Sequence, residues 1–166
     1  MSNMFANVKM STIDLSDLIT VNVTTMNSMF TNCDYVKDIR INLLDTTNVT
    51  DMSYMFANCD SLQNIALNGL NTSKVTMMKG MLSGLPLIEK FDLSSFNLLN
   101  VVNMENMFAN STKLNEVKFM SDLNPELSVL DMFKGITTDG LLYYNINYNY
   151  SRIISVKPTT WNAVEV

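Results

Sequence analysis

The chain has 166 residues, 47% of them hydrophobic, which is enough to bury a continuous core within a single domain. Its 11 basic and 16 acidic residues give a net charge of −5 and are scattered singly, so no basic stripe exists to neutralise nucleic-acid phosphates. No apolar run approaches the roughly 20 residues that cross a bilayer, Met1 to Met10 lacks a signal-peptide pattern, and the two cysteines, with no histidine, are too few for a zinc site or a disulfide framework.

The predicted elements follow from self-similarity. The pair Met-Phe stands at Met4-Phe5, Met29-Phe30, Met55-Phe56, Met107-Phe108 and Met132-Phe133, and Met81-Leu82 completes the series at spacings of 25, 26, 26, 26 and 25. Met1 to Asn7 is a predicted helix with no strand before it. Ile13 and Leu15 open a series of short strands, continued by Ile39 and Ile41, Ile65 and Leu67, Phe91 and Leu93, and Val117 and Phe119, whose alternation marks one buried face. Between strands, Val49, Met52, Met55 and Phe56 fall at i, i+3, i+6 and i+7, which predicts a short amphipathic helix with Thr50, and its equivalents Thr24 and Thr76, near the amino end. Asn7, Asn32, Asn58, Gly84, Asn110 and Gly135 then form a column of the residues that enter the left-handed conformation most cheaply, and this column should end each helix. Leu18, Leu44, Leu70, Phe96 and Leu123, with Val23, Val49, Val75 and Val101, become ladders in the core, and the methionines are wall filling.

One strand and one short helix cannot bury their own apolar faces, so successive coils must stack. The expected fold is an α/β repeat solenoid: a leucine-rich-repeat-like, right-handed horseshoe with a parallel sheet on one face and short helices on the other. It spans residues 1–136, and residues 137–166 break the period and form a small β-rich C-terminal cap. Within that cap Tyr143, Tyr144, Ile146, Tyr148, Ile153, Ile154, Val156, Trp161, Val164 and Val166 suggest two or three short strands around Pro158.

The stretch Asn48-Val-Thr-Asp-Met-Ser-Tyr-Met-Phe-Ala-Asn-Cys-Asp-Ser-Leu62 resembles the BspA-like leucine-rich repeat of bacterial surface proteins, over roughly residues 1–136. The resemblance implies a surface-displayed adhesion or interaction module, on the cell surface if the chain belongs to a larger protein and cytoplasmic if it is complete.

Catalysis needs a positioned base, nucleophile or metal, and the sequence has no histidine, no glycine-rich phosphate loop and no recurrent carboxylate pair, so neither an enzyme, a cofactor nor a metal is expected. Asp51, Asp60 and Asp92 read as turn or helix-start residues. Cys33 and Cys59 share a column with Val8, Leu85, Ser111 and Ile136, so they are buried thiols or a bridge between adjacent coils. Sequons at Asn22, Asn48, Asn71, Asn110 and Asn149 arise from a repeat rich in Asn, Ser and Thr.

The binding surface is expected on the solvent face of the sheet, whose outward positions form three columns. They are Thr12, Asp38, Asn64, Lys90 and Glu116; Asp14, Arg40, Ala66, Asp92 and Lys118; and Ser16, Asn42, Asn68, Ser94 and Met120. From these, Asp38, Arg40, Asn42, Asn64, Asn68, Lys90, Asp92, Ser94, Glu116 and Lys118 are the candidate contacts to a protein or glycan partner, and their mixed charge suits recognition of complementary groups. Tyr143, Tyr144, Tyr148, Tyr150 and Trp161 form a secondary candidate patch of amphipathic rings. The first sheet edge, without a visible cover, is expected to pair with a second copy or to continue in a longer chain. Two function classes remain. One is an adhesion module of a bacterial surface protein, and the other a stand-alone phage or mobile-element protein that inhibits a host protein by occlusion.

Overall fold

In a computed structural model that describes residues 1–41 and 43–166, the chain winds into stacked coils whose strands lie in register. The elements are β1 (Thr12–Asp14), β2 (Asp38–Arg40), β3 (Asn64–Ile65), β4 (Lys90–Asp92), β5 (Glu116–Phe119), β6 (Gly140–Tyr144), α1 (Ser151–Val156) and β7 (Trp161–Glu165). Strand neighbours are parallel, with Thr12 beside Asp38, Asp38 beside Asn64, and Lys90 beside Glu116. We number the coils one to six by the strands β1 to β6. Parallel pairing one period apart puts Ile13, Ile39, Phe91 and Val117 on the buried side, while Thr12, Asp14, Arg40, Lys90 and Asp92 are exposed.

The fold is therefore a parallel β-solenoid, and the short helices expected opposite the sheet are absent from the described residues. The segment from Val49 to Asn58 has no helix, and its part from Ser53 to Asn58 is a run of turns. Its alternate amides bond to the next coil instead of four residues back: Met52 N–H donates to Met77 O, Tyr54 to Lys79, Phe56 to Met81 and Asn58 to Ser83, at 2.8–3.1 Å. Two left-handed residues per coil enforce this path. One is the expected column, with φ of +61° at Asn7, +57° at Asn32, +58° at Asn58, +63° at Gly84, +62° at Asn110 and +79° at Gly135. The other lies four residues earlier, at Asn3, Ser28, Tyr54, Gly80, Asn106 and Asp131, with φ between +54° and +57°. A left-handed residue every fourth position prevents α-helical bonding. Two short turns in succession turn Val49, Met52, Met55 and Phe56 inward at the same spacing a helix would use, which is why the apolar pattern suggests one.

Side chains tie the coils together as well as main chain. The buried hydroxyl of Thr46 donates to Asn71 O at 3.0 Å and accepts from Asn71 N–H at 2.7 Å, and Thr72 repeats both bonds with Asn97. Asn58 Nδ2 donates to Asn32 Oδ1 at 3.1 Å, and Asn32 Nδ2 to Asn7 Oδ1 at 3.4 Å. Phe5, Phe30 and Phe56 stack at centroid separations of 5.7 and 5.4 Å. Met26, Met29, Met52, Met55, Met78, Met81, Met104 and Met107 are wholly buried, each worth about 1.5–3 kcal/mol in transfer from water.

The C-terminal segment continues the sheet, since β6 pairs with β5 and β7 with β6, both parallel. Ile153, Ile154 and Val156, expected on a strand, instead occupy α1, where Ile153 is buried. The helix closes the coil because the two strands on either side of it, β6 and β7, are parallel, and a crossover must return the chain to the starting end.

Candidate functional site

The sheet is split. β3 pairs with β2, β4 pairs with β5, and no strand pairing joins β3 to β4. At the entry to each strand, an amide normally reaches back one coil: Lys37 N–H donates to Ser11 O, Gln63 to Lys37, Asn115 to Glu89 and Leu141 to Asn115, at 2.8–3.3 Å. Among the described residues the missing rung of this ladder is Glu89 N–H to Gln63 O.

The fourth coil departs from its neighbours beside the gap. In the cysteine column, Cys33 Sγ donates to Phe5 O at 3.0 Å, Cys59 Sγ to Phe30 O at 3.1 Å, and Ser111 Oγ to Leu82 O at 3.0 Å. Leu85 holds that position in the fourth coil and carries no donor for the Phe56 carbonyl, while its own amide donates forward to Ser111 Oγ at 3.2 Å. Leu85 is also bulkier than cysteine or serine, and Pro86 follows it with no N–H. The same coil has Leu82 in the phenylalanine stack and Gly84 in the asparagine ladder, where a Cβ would lie 2.3 Å from Asn58 Oδ1. At the corner from Gly84 to Glu89 the fourth coil is tied forward and not back, which leaves a trough between β3 and β4.

Two connected hollows make up this trough, of about 540 and 550 Å³. One bank is Gln63, Asn64, Ile65, Ala66, Leu67 and Asn68, and the other runs from Leu87 through Glu89, Lys90 and Asp92 to Ser94 and Ser95. Ile65 is only half-buried, unlike Ile39 and Phe91 at the same register position, because no neighbouring strand covers it. Lys90 Nζ pairs with Glu116 Oε2 at 2.8 Å across β4 and β5. The Ser94 side chain, then its amide, and the nearby Lys118 hold the Asp92 carboxyl below the usual carboxylate range. The Ser94 hydroxyl is itself buried without meeting the geometry of a hydrogen bond to any partner.

The trough thus gathers Asn64, Asn68, Lys90, Asp92, Ser94 and Glu116 from the expected binding columns. Asp38 and Arg40 lie one coil away, joined by a loose 3.6 Å ion pair, with Arg40 on a separate hollow beside Asp14, Ser16 and Leu43. Lys118 is opposite Asp92 on β5, and Asn42 falls outside the described residues. The aromatic residues behave differently from a surface patch. Trp161 and Tyr150 are buried: the Trp161 indole N–H donates to Thr138 O at 3.0 Å, the Tyr150 hydroxyl donates to Ser121 O, and Tyr150 packs on Phe119 and Tyr144. Tyr143 and Tyr144 are half-buried, leaving Tyr148 as the exposed member. Only part of the cap core was mistaken for exterior, since apolar rings look alike in sequence wherever they point.

Cys33 and Cys59 are free buried thiols, so the bridged alternative is not the form present. The Cys33 thiol beside it and burial push the Cys59 thiol up. Asp51 and Asp92 serve as expected in local turns, accepting from Ser53 N–H at 2.8 Å and Ser94 N–H at 2.9 Å. The split itself was missed in the sequence, although Leu85-Pro86 against Cys59-Asp60 was the signal for it.

Stacked parallel coils, with outward polar columns and no cluster of potential metal ligands among the described residues, define a repeat solenoid. The chain belongs to the family described as Mycoplasma protein of unknown function, DUF285, whose model matches residues 1–118 and 34–140. No curated protein and no solved structure matches the chain.

Proposed function

We propose that the chain is a non-catalytic binding module that engages a protein or glycan partner through the outer face of its sheet, as an adhesion or interaction unit of a bacterial surface protein. The observation that carries this reading is the concentration of unlike polar groups around one trough: amides of Asn64 and Asn68, the Lys90–Glu116 pair, Asp92 and Ser94. Concave sites with convergent polar groups are where ligands bind, and here they sit on positions that the stacking of coils leaves free to vary. The resemblance of Asn48 to Leu62 to BspA-like repeats supports surface display.

The test is retention of extracellular-matrix proteins, of proteins from a bacterial lysate and of an arrayed glycan set on the immobilised chain. A triple variant, Arg40→Ala, Asp92→Ala and Lys118→Ala, is the control. Saturable retention that drops at least tenfold in the variant supports the reading. Retention indifferent to the variant, or found only with proteins from a bacterial lysate, overturns it, the second outcome in favour of an occluding inhibitor.

A further inference from the structure

The seam between the third and fourth coils differs from an ordinary surface hollow because each bank carries an open strand edge. Each of β3 and β4 has one edge with no strand beside it. The Gln63 carbonyl and the Glu89 amide, bonded to a neighbouring coil everywhere else in that column, have no such partner. We propose that this seam takes an extended peptide segment of a protein partner, held by main-chain hydrogen bonds to Gln63 O and Glu89 N–H, with an apolar side chain of the peptide against Ile65 and Leu87. The proposal rests on the outer face being the binding surface and specifies which class of ligand it takes.

Three observations favour a peptide. The unpaired groups are an acceptor on one bank and a donor on the other, which is the complement of an extended chain, and adding a strand to an open sheet edge is an established mode of peptide recognition. The bank includes the strand Asn64–Ile65, and its side-chain amides at Gln63, Asn64 and Asn68 both donate and accept. The lining also disfavours a sugar, whose rings stack on exposed aromatic faces: the aromatic side chain here, Phe91, is 2% exposed and turned into the core. An anion is disfavoured too, because Lys90 is paired to Glu116, and Glu89 and Asp92 add negative charge.

Leu85-Pro86 stands beside the opening in place of the third coil's Cys59-Asp60, so restoring that pair is expected to close it. The probe is a library of random linear dodecapeptides selected on the wild-type chain, with the affinity of each enriched peptide measured on three variants. Leu85→Cys with Pro86→Asp copies Cys59-Asp60, Leu85→Ser alone copies Ser111 and serves if the double variant does not fold, and Arg40→Ala with Lys118→Ala alters the face outside the seam. We expect enriched peptides to lose at least tenfold in affinity on closure and to slow hydrogen exchange at the Glu89 amide of the wild type at least tenfold. Failure to enrich any linear peptide overturns the proposal, as do peptides that ignore closure and leave Glu89 exchange unchanged. If such peptides, or a glycan, depend on Arg40 and Lys118, the outer-face reading survives and the seam alone is wrong. Ligands indifferent to every variant remove both.

Discussion

Gly84 shows how closely a single position is specified. Its φ of +63° is a region that L side chains enter at a cost, and an added Cβ would meet the Asn58 amide at 2.3 Å. Gly84→Ala should therefore destabilise by about 1–3 kcal/mol, read as a lower denaturant midpoint with an unchanged slope. Register is tested by two other substitutions. Met55 is wholly enclosed, so Met55→Asp leaves a buried charge without a partner and costs about 3–5 kcal/mol. Arg40, with 68% of its side chain exposed and a long ion pair, should tolerate Arg40→Ala within about 0.5 kcal/mol. Equal thermal shifts for these two would refute the assignment of inside and outside. The carboxylates give a pH dependence. The Ser16 amide holds Asp14 below the ordinary range, the Thr47 hydroxyl holds Asp45 there, and the Ser94 side chain does so for Asp92. Folded values below unfolded ones contribute stability that is complete above the unfolded range, near pH 4, and is lost as pH falls through the folded values. Denaturation midpoints should thus be flat from pH 7 to 5 and decline below about pH 4.

At the scale of elements, the strands were legible and the turns were not. Period-two alternation in Ile39-Arg40-Ile41 and Val117-Lys118-Phe119 has one structural meaning, so strand positions, register and outward columns could be read directly. The Val49, Met52, Met55, Phe56 spacing has two meanings, and what separates them is hydrogen bonding to the next coil, from Met52 to Met77 and on to Ser83, which no local window contains. Ser28, Tyr54 and Asp131 hid the second left-handed column, since apart from Asp these residue types do not advertise positive φ. Far-ultraviolet circular dichroism distinguishes the two folds: the solenoid has helix at Ser151–Val156, so a weak 222 nm band is expected, whereas a helix in every coil would give a strong one. In the closing element, Gly140 lies against the Trp161 ring, where a Cβ would come within 2.5 Å of Cε2 and 2.6 Å of Asn115 O. Gly140→Ala should push β7 off β6, seen as a red-shifted tryptophan emission and faster exchange of the β7 amides.

For the whole molecule, the candidate site was half legible. Asn64, Lys90 and Asp92 could be placed on the outer face by counting, but the trough between them is a missing bond, and a missing bond depends on how Leu85 and Pro86 fit against a neighbouring coil. The departure of one repeat from its consensus at four nearby places, Leu82, Gly84, Leu85 and Pro86, is the clue that a coil-by-coil comparison offers.

The cross-coil bonds also set how load passes along the stack. From the first coil to the third, and again from the fourth to the fifth, thiol, hydroxyl and main-chain bonds act side by side. Between the third and fourth the cysteine-column bond and the strand rungs drop out, and the bonds from the Met52–Asn58 turns, from Thr72, from Thr76 to Thr50 O and from Lys74 to Asn48 carry the tension. Drawn apart from its two ends in an optical trap, the chain should yield first at this joint, in two steps of unequal length, and closing the seam with Leu85→Ser should merge them toward one. A tether anchored at one end and loaded at the other would then extend by a fixed increment before it fails.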